Sequence, residues 1–261
     1  MAEWLLRTFP TAVLSILILA GLTGAALLGL FVFRTRASDL VEAVDDSVAG
    51  VIVSILAGIY GVVVAFVIVV LWEDFRSAQQ VASSEANALG RMVQDSNAFP
   101  PSDRLILTES ISRYVHAVVD EEWEAMGSGN ESPEAAAAMD GLYGALREVQ
   151  PEDPVTSAFY AEASSNLGEV DTARRERIRL SQRGLPAVLQ LLIVGGALLI
   201  IGFTYLFTIE SRAAHVTMTA GVALLLGFTL LLALLLQSPF SGNISVKSMV
   251  FREGPLAEFW R

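Results

Sequence analysis

Residues able to do chemistry are few in this chain, and their spacing narrows them further. His116, Asp120 and Glu124 recur at i, i+4 and i+8, so a helix would place an imidazole and two carboxylates on one face. Hard divalent cations take oxygen ligands and transition metals accept imidazole, which makes that face a candidate metal site; a solvated helix surface is the other reading. Glu85 is the second candidate. It falls inside the stripe Leu71, Phe75, Ala78, Ala82, Leu89 and Met92, where a carboxylate must be protonated or find a partner. Such an acid is either a gating or ion-sensing group or a structural acid paired with an arginine.

The remaining inventory excludes most enzymology. There is no cysteine, hence no disulfide and no thiolate, and His116 and His215 are the two histidines. No G-x-S-x-G, Walker A, Gly-rich nucleotide loop or His-Glu-x-x-His pattern occurs, so neither enzymatic activity nor a cofactor is expected. A net charge of −11 argues against nucleic acid as a partner, because phosphate binding needs clustered Lys and Arg.

The elements that must hold these residues follow from hydropathy. The chain is 53% hydrophobic yet carries 17 basic and 28 acidic residues, a combination that fits lipid-soluble segments joined to a charged, water-soluble part. Runs at 11–33, 48–72, 186–209 and 215–236 contain no Asp, Glu, Lys or Arg and are long enough to cross a bilayer. The first exceeds the apolar core of a signal peptide and lacks an Ala-x-Ala cleavage pattern, so it reads as a retained span. The expected fold is an all-α integral membrane protein: four transmembrane helices, with a helical bundle inserted between the second and third. Its segments are 1–72 (spans 1 and 2), 73–185 (acidic helical domain), 186–236 (spans 3 and 4) and 237–261 (tail).

Basic residues set the expected orientation. Arg7, Arg76, the run Arg174, Arg175, Arg177, Arg179 and Arg183, then Lys247 and Arg252, fall on one side; Arg34, Arg36 and Arg212 fall on the other. The large segment and both termini are therefore predicted cytoplasmic. The arginine run is expected to touch anionic lipid headgroups. His215 is expected to be hydrated at the interface.

Within 73–185 the second span is expected to continue as one helix to about Ser96, stopped by Phe99-Pro100-Pro101. Ser102, Ser132 and Asp153 read as caps of three further helices. On the second span, Ser54, Gly58, Gly61 and Ala65 form a small-residue stripe suited to close helix contact. Val51, Ile55, Ile59, Val62 and Phe66 form a bulky stripe beside it. Such a stripe faces lipid, a neighbouring helix or a pore that closes by dewetting.

Several stretches carry a family resemblance. They are Trp72-Glu73-Asp74-Phe75-Arg76-Ser77-Ala78, Glu85-Ala86-Asn87-Ala88-Leu89, the set Tyr114, Val118, Val119, Glu122, Trp123 and Met126, and Pro239-Phe240-Ser241-Gly242. Together they resemble a bacterial membrane family described as bestrophin-like. Bestrophins are pentameric anion channels whose second transmembrane helix lines an apolar neck. Matched through Gly58-Ile59-Tyr60, the resemblance implies a neck at Val51, Ile55 and Ile59, with a homo-oligomer, membrane lipid and an inorganic ion as partners. The chain departs from an anion channel in its charge. Asp39, Glu42, Asp45 and Asp46 outnumber Arg34 and Arg36 in the presumed outer loop, and 73–185 holds 20 acidic and 10 basic residues, a field that favours cations. The rival reading is a non-conducting scaffold or sensor whose acidic domain recruits a partner or metal. A transporter is less supported, since no span is interrupted by a mid-membrane proline or holds an ionisable residue of the kind that marks coupling-ion sites. In the tail motif, Gly242 would take a positive φ and Phe240 would anchor among headgroups.

Overall fold

The computed structural model describes residues 11–36, 46–242 and 244–261, which are mostly helical with no strand among them. Arg7, Asp39, Glu42 and Asp45 lie outside the described residues, as does the side chain of Asp46. The chain divides into two compact units. One comprises Met1–Glu73 with Gly184–Gln237, and the other Asp74–Arg183 with Ser238–Arg261.

Four helices are long and apolar enough to cross a membrane. They are α1 (Thr11–Arg36), the first part of α2 (Asp46–Asp95), and, after the helical insertion, α7 (Ala187–Thr204) and α8 (Arg212–Leu236). α7 ends earlier than its apolar run, at Thr204, because the chain turns through 205–211 to start α8, where Ser211 accepts the Ala214 amide. Small residues let these helices approach closely: Ala26, Ala197 and Ala223 meet Ile200, Ile201 and Leu226 in one cluster. Gly227 leaves room for the Leu19 and Leu22 side chains. Buried hydroxyls find backbone partners, Tyr60 donating to the Ile193 carbonyl at 2.8 Å and Tyr205 to that of Ala26 at 2.7 Å. His215 is not hydrated as expected. It is buried and its Nε2 meets the Thr204 carbonyl at 2.8 Å, because the turn folds over it.

The second unit starts where α2 becomes polar. α2 runs unbroken to Asp95 because nothing between Asp46 and Asp95 interrupts helical hydrogen bonding. A short 3-10 turn (Ser96–Ala98) and Phe99 end the path, and α3 (Pro101–His116) begins one residue before Ser102, with Pro101 in its first turn. A π-helical segment (Ala117–Glu122) then leads into α4 (Trp123–Met126). α5 (Pro133–Glu148) is capped by Ser132, which accepts the Ala135 amide. α6 (Pro154–Gln182) is capped by Asp153, which accepts the amides of Val155 and Thr156 at 2.7 and 3.1 Å. Those amides hold the Asp153 carboxyl below the usual carboxylate range.

The tail does not stand apart. Phe251 and Leu256 sit in the same core as Leu89, Met92, Ile111, Tyr114, Leu142 and Leu167. Phe240, expected among headgroups, is instead buried with its ring edge-on to Trp123 at 5.6 Å. Gly242 does take a positive φ of 79°, and the turn lets Ser241 donate to the Gly127 carbonyl at 2.7 Å, a long-range contact that holds Phe240 against the helical core.

In the membrane unit the tightest contact predicts its own mutant. A methyl at Gly196 would overlap the Tyr60 ring, whose hydroxyl is held on the same helix. Gly196→Ala is expected to cost about 1–3 kcal/mol, read as a lower unfolding temperature in detergent, while Gly195→Ala, with open space around it, should leave that temperature unchanged.

Candidate functional site

The long helix α2 carries both sets of residues that merit a functional reading. Its second half brings Glu85 into the interior of the helical unit, where the carboxylate is fully buried. Arg177 from α6 meets it with two parallel hydrogen bonds, Nε to Oε2 at 2.7 Å and Nη2 to Oε1 at 2.9 Å. Tyr114 of α3 donates its hydroxyl to Oε1 at 2.7 Å. Arg177 Nη2 also reaches Glu122 Oε2 at 2.7 Å, and Glu122 in turn accepts Nε and Nη2 of Arg174. Two guanidiniums and two carboxylates thus balance, and one further donor, Arg177 Nη1, points at the Met126 sulfur at 3.1 Å. The Trp123 ring lies over the same guanidinium at 5.2 Å and Phe251 at 6.0 Å.

Electrostatics follow this packing. Burial alone would lower Arg177, but Glu85 and Glu122 more than offset it and hold the guanidinium above its ordinary value. Burial pushes the Tyr114 phenol well up, and the neighbouring Glu85 carboxylate adds to that, so Tyr114 stays a donor. A second polar tie lies further along the same helix pair. Arg91 donates to Asn166 at 2.7 Å, and Asn166 donates to Asp95 at 2.9 Å. Burial raises Asp95, against the pull of that hydrogen bond.

The first half of α2 presents the opposite situation. Val51, Ile55 and Ile59 are 60%, 57% and 60% exposed within the chain. Val62 and Phe66 continue the same uncovered stripe. Ser54, Gly58, Gly61 and Ala65 are uncovered too, and nothing lies within 4 Å of a methyl placed at Gly58 or Gly61. Only the side bearing Ala57, Tyr60, Val64 and Val67 is engaged within the unit.

A family model for the bestrophin-like domain matches residues 20–251. The chain belongs to the bestrophin-like family. No curated protein and no solved structure matches it. The matched stretch takes in all four membrane-capable helices at least in part, the whole ion cluster and the start of the tail.

For this bestrophin-like chain, two expectations about charged residues need correction. His116, Asp120 and Glu124 do not converge: His116 Nδ1 faces Asp120 at 3.4 Å, but Nε2 faces the Phe259 carbonyl at 3.1 Å, and the π-helical segment shifts the register before Glu124. Among the described residues no group of three His, Asp or Glu could hold a metal ion. The arginine run is not uniformly a headgroup surface either. Arg174 and Arg177 turn inward to the cluster, whereas Arg175, Arg179 and Arg183 pair with Asp171, Glu176 and Asp74. Glu85 is paired with an arginine, as its structural reading expects. Arg177 and Glu122 are the members of the buried cluster that the sequence did not single out. Their signal was present as Arg174 and Arg177 one helical turn apart, on the same side of α6 as the apolar Ile178 and Val170.

The cluster predicts a non-additive pair of variants. Arg177→Met leaves two buried carboxylates facing one another and should cost about 3–5 kcal/mol. Glu85→Gln combined with Arg177→Met keeps the Glu122–Arg174 pair and removes the orphaned charge, so chemical denaturation should show a clearly smaller loss than for Arg177→Met alone. Equal losses would mean the charges are not coupled.

Proposed function

We propose that the chain assembles as a homo-oligomeric ion channel of the bacterial inner membrane, with the N- and C-termini cytoplasmic. α2 lines the pore, Val51, Ile55 and Ile59 form an apolar neck, and the helical unit surrounds a cytosolic vestibule. The observation that carries this reading is the uncovered face of α2. A bulky stripe next to a small one has no partner among the described residues, and a second copy packed on Ser54, Gly58 and Gly61 would turn the bulky residues toward a common axis. Stacked apolar rings of this kind close a pore by excluding water.

Four spans in one chain are too few to surround a conventional pore, so conduction requires several copies. Selectivity follows from charge. The excess of acidic residues, 28 against 17 basic, favours cations over anions at the mouths. A non-conducting scaffold would leave the bulky stripe against lipid instead.

Ion flux from proteoliposomes tests the neck. Ile55→Ala together with Ile59→Ala widens and wets it and should raise flux severalfold over the unmodified protein, with potassium passing in preference to chloride. Unchanged flux in a folded double variant would overturn the neck assignment, and absence of flux from both proteins would favour the scaffold.

A further inference from the structure

The uncovered stripe of α2 runs on to a charge. Val51, Ile55, Ile59, Val62 and Phe66 are exposed, and α2 continues unbroken past them to Asp95. No residue from Ser47 to Trp72 is charged, so Glu73 is the first ionic side chain the helix presents after Asp46. Its place on the helix follows from the pitch. Eighteen residues make about five turns at 3.6 residues per turn, which returns position 73 to the side that carries Ile55. Glu73 is exposed there, about 27 Å further along the axis at 1.5 Å per residue.

Two other charges share this turn, and the same geometry separates them from Glu73. Arg76 repeats the position of Gly58, again about five turns on, and therefore continues the small-residue side rather than the bulky one. Asp74 is rotated by about 100° away from that small side and faces Arg183 at 3.4 Å. Glu73 has no ion-pair partner among the described residues.

We propose that Glu73 sets the charge preference of the pore. This rests on the channel reading: with copies packed through Ser54, Gly58 and Gly61, the side of α2 bearing Ile55 faces the common axis, and Glu73 faces it too, beyond the apolar neck. One carboxylate from each copy then forms a ring that concentrates cations and repels anions. Arg76 falls on the side where copies meet, and Asp74 is bonded within its own chain, so neither counts equally in the ring. The general excess of acid gives no reason to single out one residue; the helical position does.

Potassium and chloride permeabilities of the full-length protein in planar bilayers, read from the reversal potential in a KCl gradient, test this. The unmodified protein should prefer potassium. Glu73→Gln should lower the potassium-to-chloride ratio about fivefold or more while currents persist, and Glu73→Asp, which keeps the charge, should retain most of the preference. Asp74→Asn removes the same charge one residue away but about 100° round the helix, and should change the ratio less than about twofold. An unchanged ratio in Glu73→Gln, or an equal fall in Asp74→Asn, overturns the proposal and leaves the channel standing. A chloride preference in the unmodified protein overturns it as well. Absence of current from every one of these proteins would remove the channel reading together with it.

Discussion

Arg177 carries a permanent positive charge in a place closed to bulk solvent, and the helical unit is arranged around that fact. A guanidinium cannot shed its proton to escape burial, so every donor it presents needs an acceptor nearby. Glu85 from α2, Glu122 from the π-helical segment and the Met126 sulfur supply them. Bidentate geometry fixes angle as well as distance, and the rotation of α2 and α6 about their axes is set relative to each other. The rings of Trp123 and Phe251 lie over the same group, which draws the C-terminal tail into the core. Replacing such a cluster wholesale by apolar residues need not weaken a protein, whereas removing one member does; its contribution is a unique packing arrangement more than net stability.

The π-helical segment belongs to the same constraint. An extra residue in the turn before Trp123 carries Glu122 inward to meet Arg174 and Arg177, at the cost of the even spacing that would have aligned His116, Asp120 and Glu124. One local irregularity therefore explains both the presence of the ion cluster and the failure of His116, Asp120 and Glu124 to converge. In the membrane unit, by contrast, no ion pair between described residues organises the packing. Alanines, glycines and two tyrosine hydroxyls do so, and the uncovered side of α2 is what remains for other copies or lipid.

Much of the fold was legible in the sequence because its signals are local. Hydropathy marked the four spans, Ser132 and Asp153 marked helix starts through their own amide contacts, and the lack of a breaker carried α2 through to Asp95. Glu85 stood out because an acid inside an apolar stripe needs a partner. Which partner was harder to read: Arg177 lies in a basic run that orientation rules already accounted for, and the local sign that Arg174 and Arg177 turn inward is their sharing a face with Val170 and Ile178. The place of Phe240 and of the tail was hidden for a related reason, since both depend on contacts to Trp123 and Gly127 far away in sequence.

The central claim is that the open face of α2 is covered by other copies of the chain around a shared axis. Subunit number decides it most directly, by native mass spectrometry of the protein purified in detergent. A closed ring of about four or more copies is the expected result, because fewer chains cannot surround a pore with one helix each. A monomer or a dimer would contradict it and leave the bulky stripe of Val51, Ile55 and Ile59 facing lipid.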